Sequence, residues 1–166
     1  MLSNPLTRLL IHLENAAIFI ALSGLVLAVI WGVLSRYVTT HPAIWTGEVS
    51  GFLFTWVVFI GGMAAYRRGQ HIRITLFVDV LPERISYLVR RFADLTMIVF
   101  LAYATFLSVE MTIQGASRPS VALRIPFAVV YASTVISFAV MCLTAALRFI
   151  GTLPEPEPRA TTEDIL

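Results

Sequence analysis

Four acids stand inside or beside apolar runs and are the residues best placed for ion or proton chemistry: Glu14, Glu48, Asp94 and Glu110. A carboxylate at membrane depth marks an ion or proton path by default. Each of the four also has a plainer role. Glu14 precedes 21 uncharged residues, Asn15 to Ser35, so it lies at a membrane edge and not at its centre. Glu48 follows Trp45 by three residues and suits the N-terminus of a helix at the interface. Arg36 lies just across a short link from it, and unpaired charge near hydrocarbon is expensive, so an Arg36–Glu48 ion pair is expected. Asp94 and Glu110 flank the 15 uncharged residues from Leu95 to Val109, ~22 Å of helix. Both then reach the two ends of a short span, and that reading is preferred to an ion path.

The cations and metal-binding types narrow the chemistry further. Arg67, Arg68 and His71 could hold a substrate carboxylate. They sit at the end of an apolar run, where orientation and contact with lipid head groups explain them better. Gly69 reads as the residue that turns the chain after a helix. His12, His41 and His71 could ligate haem only if two faced each other within a bundle. None lies well inside an apolar run, so no haem is expected. Cys142 is the single cysteine, which permits no internal disulfide and no cysteine cluster for a metal. All 12 basic residues are Arg. Without Lys there is no Walker A loop and no Schiff base. No catalytic, cofactor-binding or metal-binding set emerges, and an enzyme is not expected.

The elements that must position these residues are membrane spans. Of 166 residues, 58% are hydrophobic and 13% charged, against about 25% charged in soluble domains. Mean hydropathy is +0.83. These values mark an all-α integral membrane protein, and nucleic acid is not implied. Four spans are expected, over about 14–36, 47–67, 94–113 and 125–148, each long enough, or nearly so, for a ~30 Å hydrocarbon core. Asn4-Pro5 reads as a helix start, followed by an apolar face at Leu6, Leu9, Leu10 and Leu13. Pro82-Glu83 starts another helix, with Ile85, Leu88, Val89 and Phe92 on one side and Arg84 and Arg91 on the other. A basic amphipathic surface helix is therefore expected over 82–93, with Arg84, Arg90 and Arg91 at the head groups. Residues 1–150 form the membrane domain, and 151–166, with three Pro and four acids, read as a disordered cytoplasmic tail. If the Arg67–Asp94 stretch is cytoplasmic, that side carries nine Arg against three outside. Both termini are then expected inside.

Small and aromatic residues suggest how the spans meet. Gly24, Gly47-x-x-x-Gly51 and Gly61-Gly62 permit close helix approach and are expected to mark internal packing. Phe52, Phe54, Trp56 and Phe59 cover several sides of the second span, facing either lipid or a larger subunit.

Two patterns are similar to a known family. One is Trp45-x-x-Glu48, then Trp56, Gly61-Gly62, Ala65, Arg67, Gly69 and His71-Ile72. The other is Ser117-x-x-Ser120-x-Ala122-Leu123-x-Ile125-Pro126, then Tyr131. Together, over about residues 10–148, they resemble the small membrane subunit of tripartite ATP-independent periplasmic (TRAP) transporters. Relatives often place Pro shortly after that Tyr, where Ser133 and Thr134 stand here. The resemblance implies a three-protein system in the bacterial inner membrane. A periplasmic solute-binding protein delivers an organic acid, a large membrane subunit carries it inward with sodium, and the small subunit supports the large one's scaffold. It also implies the separate, unfused form, since the chain ends soon after the fourth span. Arg36, Trp45, Glu48, Trp56, Arg67, Gly69, His71, Ser120, Ile125 and Pro126 are then candidates for structural or interface roles. Two other readings stay open at this point. One is a self-sufficient four-span transporter using Glu14, as in small multidrug exporters. The other is a structural or cytochrome subunit of a membrane enzyme.

Overall fold

The computed structural model describes residues 5–38, 43–68 and 82–151, with the side chains of 5–10 and 83 left aside. Four helices account for nearly all of it: α1 Pro5–Tyr37, α2 Trp45–Arg67, α3 Glu83–Gly115 and α4 Ala128–Phe149. All four are long and apolar enough to cross a membrane. The expected positions of Gly69, His71, His41 and the tail lie outside the described residues.

Two helices are longer than the spans expected from charge alone. α1 runs 33 residues from Pro5 without a break. The stretch expected as a separate surface helix over 82–93 is the beginning of α3, which continues for 33 residues to Gly115. The reason is local. From Glu83 to Gln114 there is no Gly and no Pro, so nothing interrupts the backbone ladder. The charges at Arg90, Arg91 and Asp94 alter the surroundings of the helix and not its continuity. At ~1.5 Å per residue α3 is ~50 Å long, well beyond a ~30 Å hydrocarbon core. α4 starts at Ala128, later than expected, because Pro119 to Pro126 is folded into a hairpin.

The helices stand in single file. α1 packs on α2, α2 on α4 and α4 on α3, while α1 touches neither α3 nor α4, and α2 does not touch α3. The row has no closed core. Only Ala28, Met63, Ala64, Tyr66, Leu101 and Ala145 are buried among the described apolar residues. Such a row would collapse in water. In lipid an apolar flank needs no cover, and helices associate through close packing of small residues. The seams show that pattern. Ser133, Ser137, Thr144 and Ala145 are buried along α4, and Ser108 along α3. Ser133 and Thr144 return their hydroxyls to the carbonyls of Val130 and Val140, at 2.6 and 2.7 Å, which satisfies them without a partner helix.

Close approach occurs at three glycines. A Cβ on Gly24 would come within 3.2 Å of Leu53, and one on Gly32 within 2.9 Å of Thr46 Oγ1, so α1 and α2 meet tightly. One on Gly115 would lie 2.8 Å from the Tyr131 ring and 3.0 Å from the Ala128 nitrogen, which sets α3 against the start of α4. The expectation of internal packing fails for Gly47, Gly51, Gly61 and Gly62, where an added Cβ meets nothing within 4 Å. The aromatics of α2 divide. Phe52 and Phe59 stack edge-on against Phe127, just before α4, and Phe138 of α4, with centroids 5.9 and 5.6 Å apart. Phe54 is exposed and Trp56 half-buried.

Candidate functional site

The polar side chains gather at the two ends of the row and tie each helix to the next. The arginine-rich end shows this most fully. Arg67 of α2 forms an ion pair with Glu14 of α1, and Arg68 donates to Asn15 Oδ1 at 2.5 Å. Arg148 of α4 donates to the carbonyl oxygens of Arg67 at 2.8 Å and Tyr66 at 3.4 Å, and its guanidinium lies 5.5 Å from the Tyr66 ring. Arg91 of α3 donates to the carbonyl oxygen of Phe149, at the end of α4, at 2.8 Å. Its guanidinium also covers the Phe149 and Tyr87 rings, at 4.9 and 5.4 Å.

One physical motive runs through these contacts. The last carbonyls of a helix lack intrahelical partners and form the negative end of its dipole. α2 and α4 both end on this side, and in each case a neighbour's guanidinium donates to carbonyls of the last turn. Contacts of this charge-assisted kind contribute about 1.5–3 kcal/mol each. They follow the spatial order α1, α2, α4, α3 and cover every junction in the row.

The other end is held by Glu48. Its two carboxylate oxygens accept the backbone N–H groups of Ala122 at 2.8 Å and Leu123 at 3.0 Å. The hairpin that presents these amides is closed by Ser120, which is buried. Ser120 N–H donates to the Ile125 carbonyl at 2.9 Å, and Ile125 N–H donates to Ser120 Oγ at 3.2 Å. Phe127 N–H reaches the Arg118 carbonyl at 3.1 Å. Arg124 sits in the left-handed region, φ 56°, a conformation that costs about 1–2 kcal/mol for a non-Gly residue. The same end joins α1 to α2 through Ser35, whose Oγ accepts Ala43 N–H at 3.3 Å.

The expected pair of Arg36 and Glu48 does not form. The amides of Ala122 and Leu123 occupy the carboxylate, and Arg36 makes no hydrogen bond or ion pair among the described residues. Arg67 is tied to protein and not turned out to head groups, and so is Arg91. Arg84 and Arg90 are exposed. Trp45 is partly exposed at its end of α2, and Pro126 lies opposite Pro119 in the hairpin. Glu48, Ser120, Ile125 and Pro126, separate in the sequence, thus share one structure. Glu110 is exposed and pairs with Gln114 one turn on, at 3.3 Å.

Sequence reasoning missed Asn15 and Arg148 and placed Glu14 only at a membrane edge. A signal was present for Glu14. It and Arg67 lie equally far from the Thr40–His41 link, so an antiparallel hairpin brings them level. No comparable signal marks Arg148, because its partners are backbone carbonyls.

The arrangement fastens helices and leaves little free for chemistry. Among the described residues no three of His, Cys, Asp and Glu form a group able to hold a metal ion. Glu14 and Glu48 are both engaged by protein.

Comparison with known proteins agrees with this picture of a membrane component. Residues 25–155 match the family of tripartite ATP-independent periplasmic transporters, DctQ component. The chain is similar to the sialic acid TRAP transporter small permease protein SiaQ of Vibrio cholerae, 25% identical over 63% of this chain and 56% of that protein. It thus spans about half the length of that relative. It is also similar to the ectoine TRAP transporter small permease protein TeaB of Halomonas elongata, 27% identical over 75% of this chain and 66% of that one. A third likeness is to the sialic acid TRAP transporter permease protein SiaT of Haemophilus influenzae, 34% identical over 51% of this chain but only 13% of that much longer protein. These relatives are permease components and not enzymes. With four helices long and apolar enough to cross a membrane and a family match over most of its length, the chain belongs to the DctQ component family of TRAP transporters, as a multi-pass protein of the inner membrane.

Proposed function

We propose that the chain is a stationary brace for the large permease subunit of a sodium-driven TRAP transporter. That transporter imports an organic acid handed over by a periplasmic binding protein. The observation that carries the reading is the single-file row. Its helices are fixed to one another at the arginine-rich end by Arg67, Arg148 and Arg91, and at the other end Glu48 ties α2 to the hairpin before α4, yet its flanks are left apolar and open. A carrier that encloses its own substrate needs a polar site at mid-depth. A brace needs rigid ends and a broad apolar side. The likeness to SiaT supports a large partner, since there the matching stretch is a small part of one long permease. The same proposal has both termini in the cytoplasm, a reading supported by nine Arg against three.

The rival reading as a self-sufficient transporter loses its candidate residue, because Glu14 is paired with Arg67 at one end of the row. Coupling and substrate are tested with the reconstituted complex. Organic-acid uptake should follow an imposed sodium gradient and be indifferent to a proton gradient. Uptake that follows protons alone would remove the sodium assignment, and failure of the large permease to co-purify with this chain would remove the brace.

A further inference from the structure

At the Trp45 end, between α1 and α2, lies an open groove of about 320 Å³ lined by Ala28, Val29, Val33, Arg36, Gly47 and Ser50, among others. Its lining is mostly apolar, with Thr46 and Ser50 the polar exceptions, and its rim carries one cation. Arg36 has no protein partner among the described residues, since the carboxylate nearest in sequence, Glu48, is taken by the Ala122 and Leu123 amides. Gly47 and Gly51, one turn apart on α2, leave bare backbone beside the groove, with nothing within 4 Å of an added Cβ. The ion pair between α1 and α2 stands at the arginine-rich end; at this end the two helices meet at Gly32 and Thr46 and through Ser35, and the groove opens beside that contact.

We propose that this groove is a binding site for one glycerophospholipid, with its phosphodiester on Arg36 and an acyl chain lying along Val33, Val29 and the open face of Gly47 and Gly51. The charges are complementary, and the level is right. Arg36 is the last charged residue of a membrane-spanning helix, at the depth where lipid phosphates lie and where long cationic side chains reach for them. Guanidinium matches a phosphate through two parallel N–H···O bonds. A free phosphate ion would find a single exposed cation and an apolar floor. A lipid uses both, and its tail fills space that no side chain among the described residues occupies. Bound there, it fills the groove and adds a contact between α1 and α2 at the end where the described residues form no ion pair between them.

The test is native mass spectrometry of the full-length chain, purified in mild detergent and titrated with phosphatidylglycerol or phosphatidylethanolamine. Wild type should retain a one-lipid adduct. Arg36→Gln should weaken it roughly tenfold. Gly47→Leu should weaken it comparably by filling the groove, and this change adds a side chain where the fold has room. Arg118→Gln, which removes a cation at the same end, should leave the adduct intact. Equal retention by Arg36→Gln and Gly47→Leu would overturn the proposal, as would equal loss in Arg118→Gln. Displacement of the lipid by millimolar inorganic phosphate would also overturn it, because the site would then be reading phosphate without a tail. So would loss of the adduct when the large permease is co-expressed, which would assign the groove to that partner.

Discussion

Arg148, near the end of α4, donates to the carbonyl oxygen of Arg67 at the end of α2, 2.8 Å away. A side chain of one helix thereby completes the backbone of its neighbour. Arg148→Met keeps the stem and removes the donors, leaving the carbonyls of Tyr66 and Arg67 without this partner. It should destabilise the chain by ~2 kcal/mol, read as a lower thermal unfolding temperature in detergent. Arg84→Met, on an exposed residue, should change stability by less than ~0.5 kcal/mol. Equal effects would mean that the end ties carry no special weight.

Glu48 should protect the hairpin it holds. Hydrogen exchange at the Ala122 and Leu123 amides should accelerate roughly ten- to hundredfold in Glu48→Ala. Glu48→Gln retains one acceptor oxygen and should fall between. Unchanged exchange in Glu48→Ala would place the amides' protection elsewhere.

Double-mutant cycles separate the pair that forms from the pair that does not. Glu14→Ala and Arg67→Ala should be non-additive by about 0.5–3 kcal/mol, whereas Arg36→Ala and Glu48→Ala should add within about 0.5 kcal/mol. Coupling at the second pair and none at the first would reverse the assignment of the two ends.

α3 should behave as one helix through its charge cluster. Spin labels placed singly from residue 84 to 100 should show a 3.6-residue period in oxygen accessibility, in constant phase across Arg91 to Leu95. A jump of phase there would restore a separate surface helix.

The spans were legible because their signals are local. Runs without charge, Trp45 at one end of α2 and Arg67 at the other fix where a helix meets each interface. The order of the row was not legible. Any one helix is apolar on several sides, and in lipid such a surface does not say which side meets a neighbour. The Arg36–Glu48 expectation failed for a related reason. Charge and proximity in sequence suggested a side-chain pair, but a carboxylate can be met equally well by backbone amides, and these come from a hairpin more than 70 residues away. Arg91 illustrates the same limit: its charge was visible, its target on the Phe149 carbonyl was not. The motif around Ser120 and Ile125 was visible as a pattern, and only the hairpin shows that it exists to present two N–H groups to Glu48.

As a brace, this chain is expected to be required for transport without carrying the solute itself. Uptake into liposomes holding the chain and the large permease, with the binding protein added and an inward sodium gradient imposed, tests this when each component is omitted in turn. The complete set should take up solute, the large permease with binding protein but without this chain should fall to background, and this chain alone should stay at background. Uptake by this chain alone, or full uptake in its absence, would mean that it is not a brace.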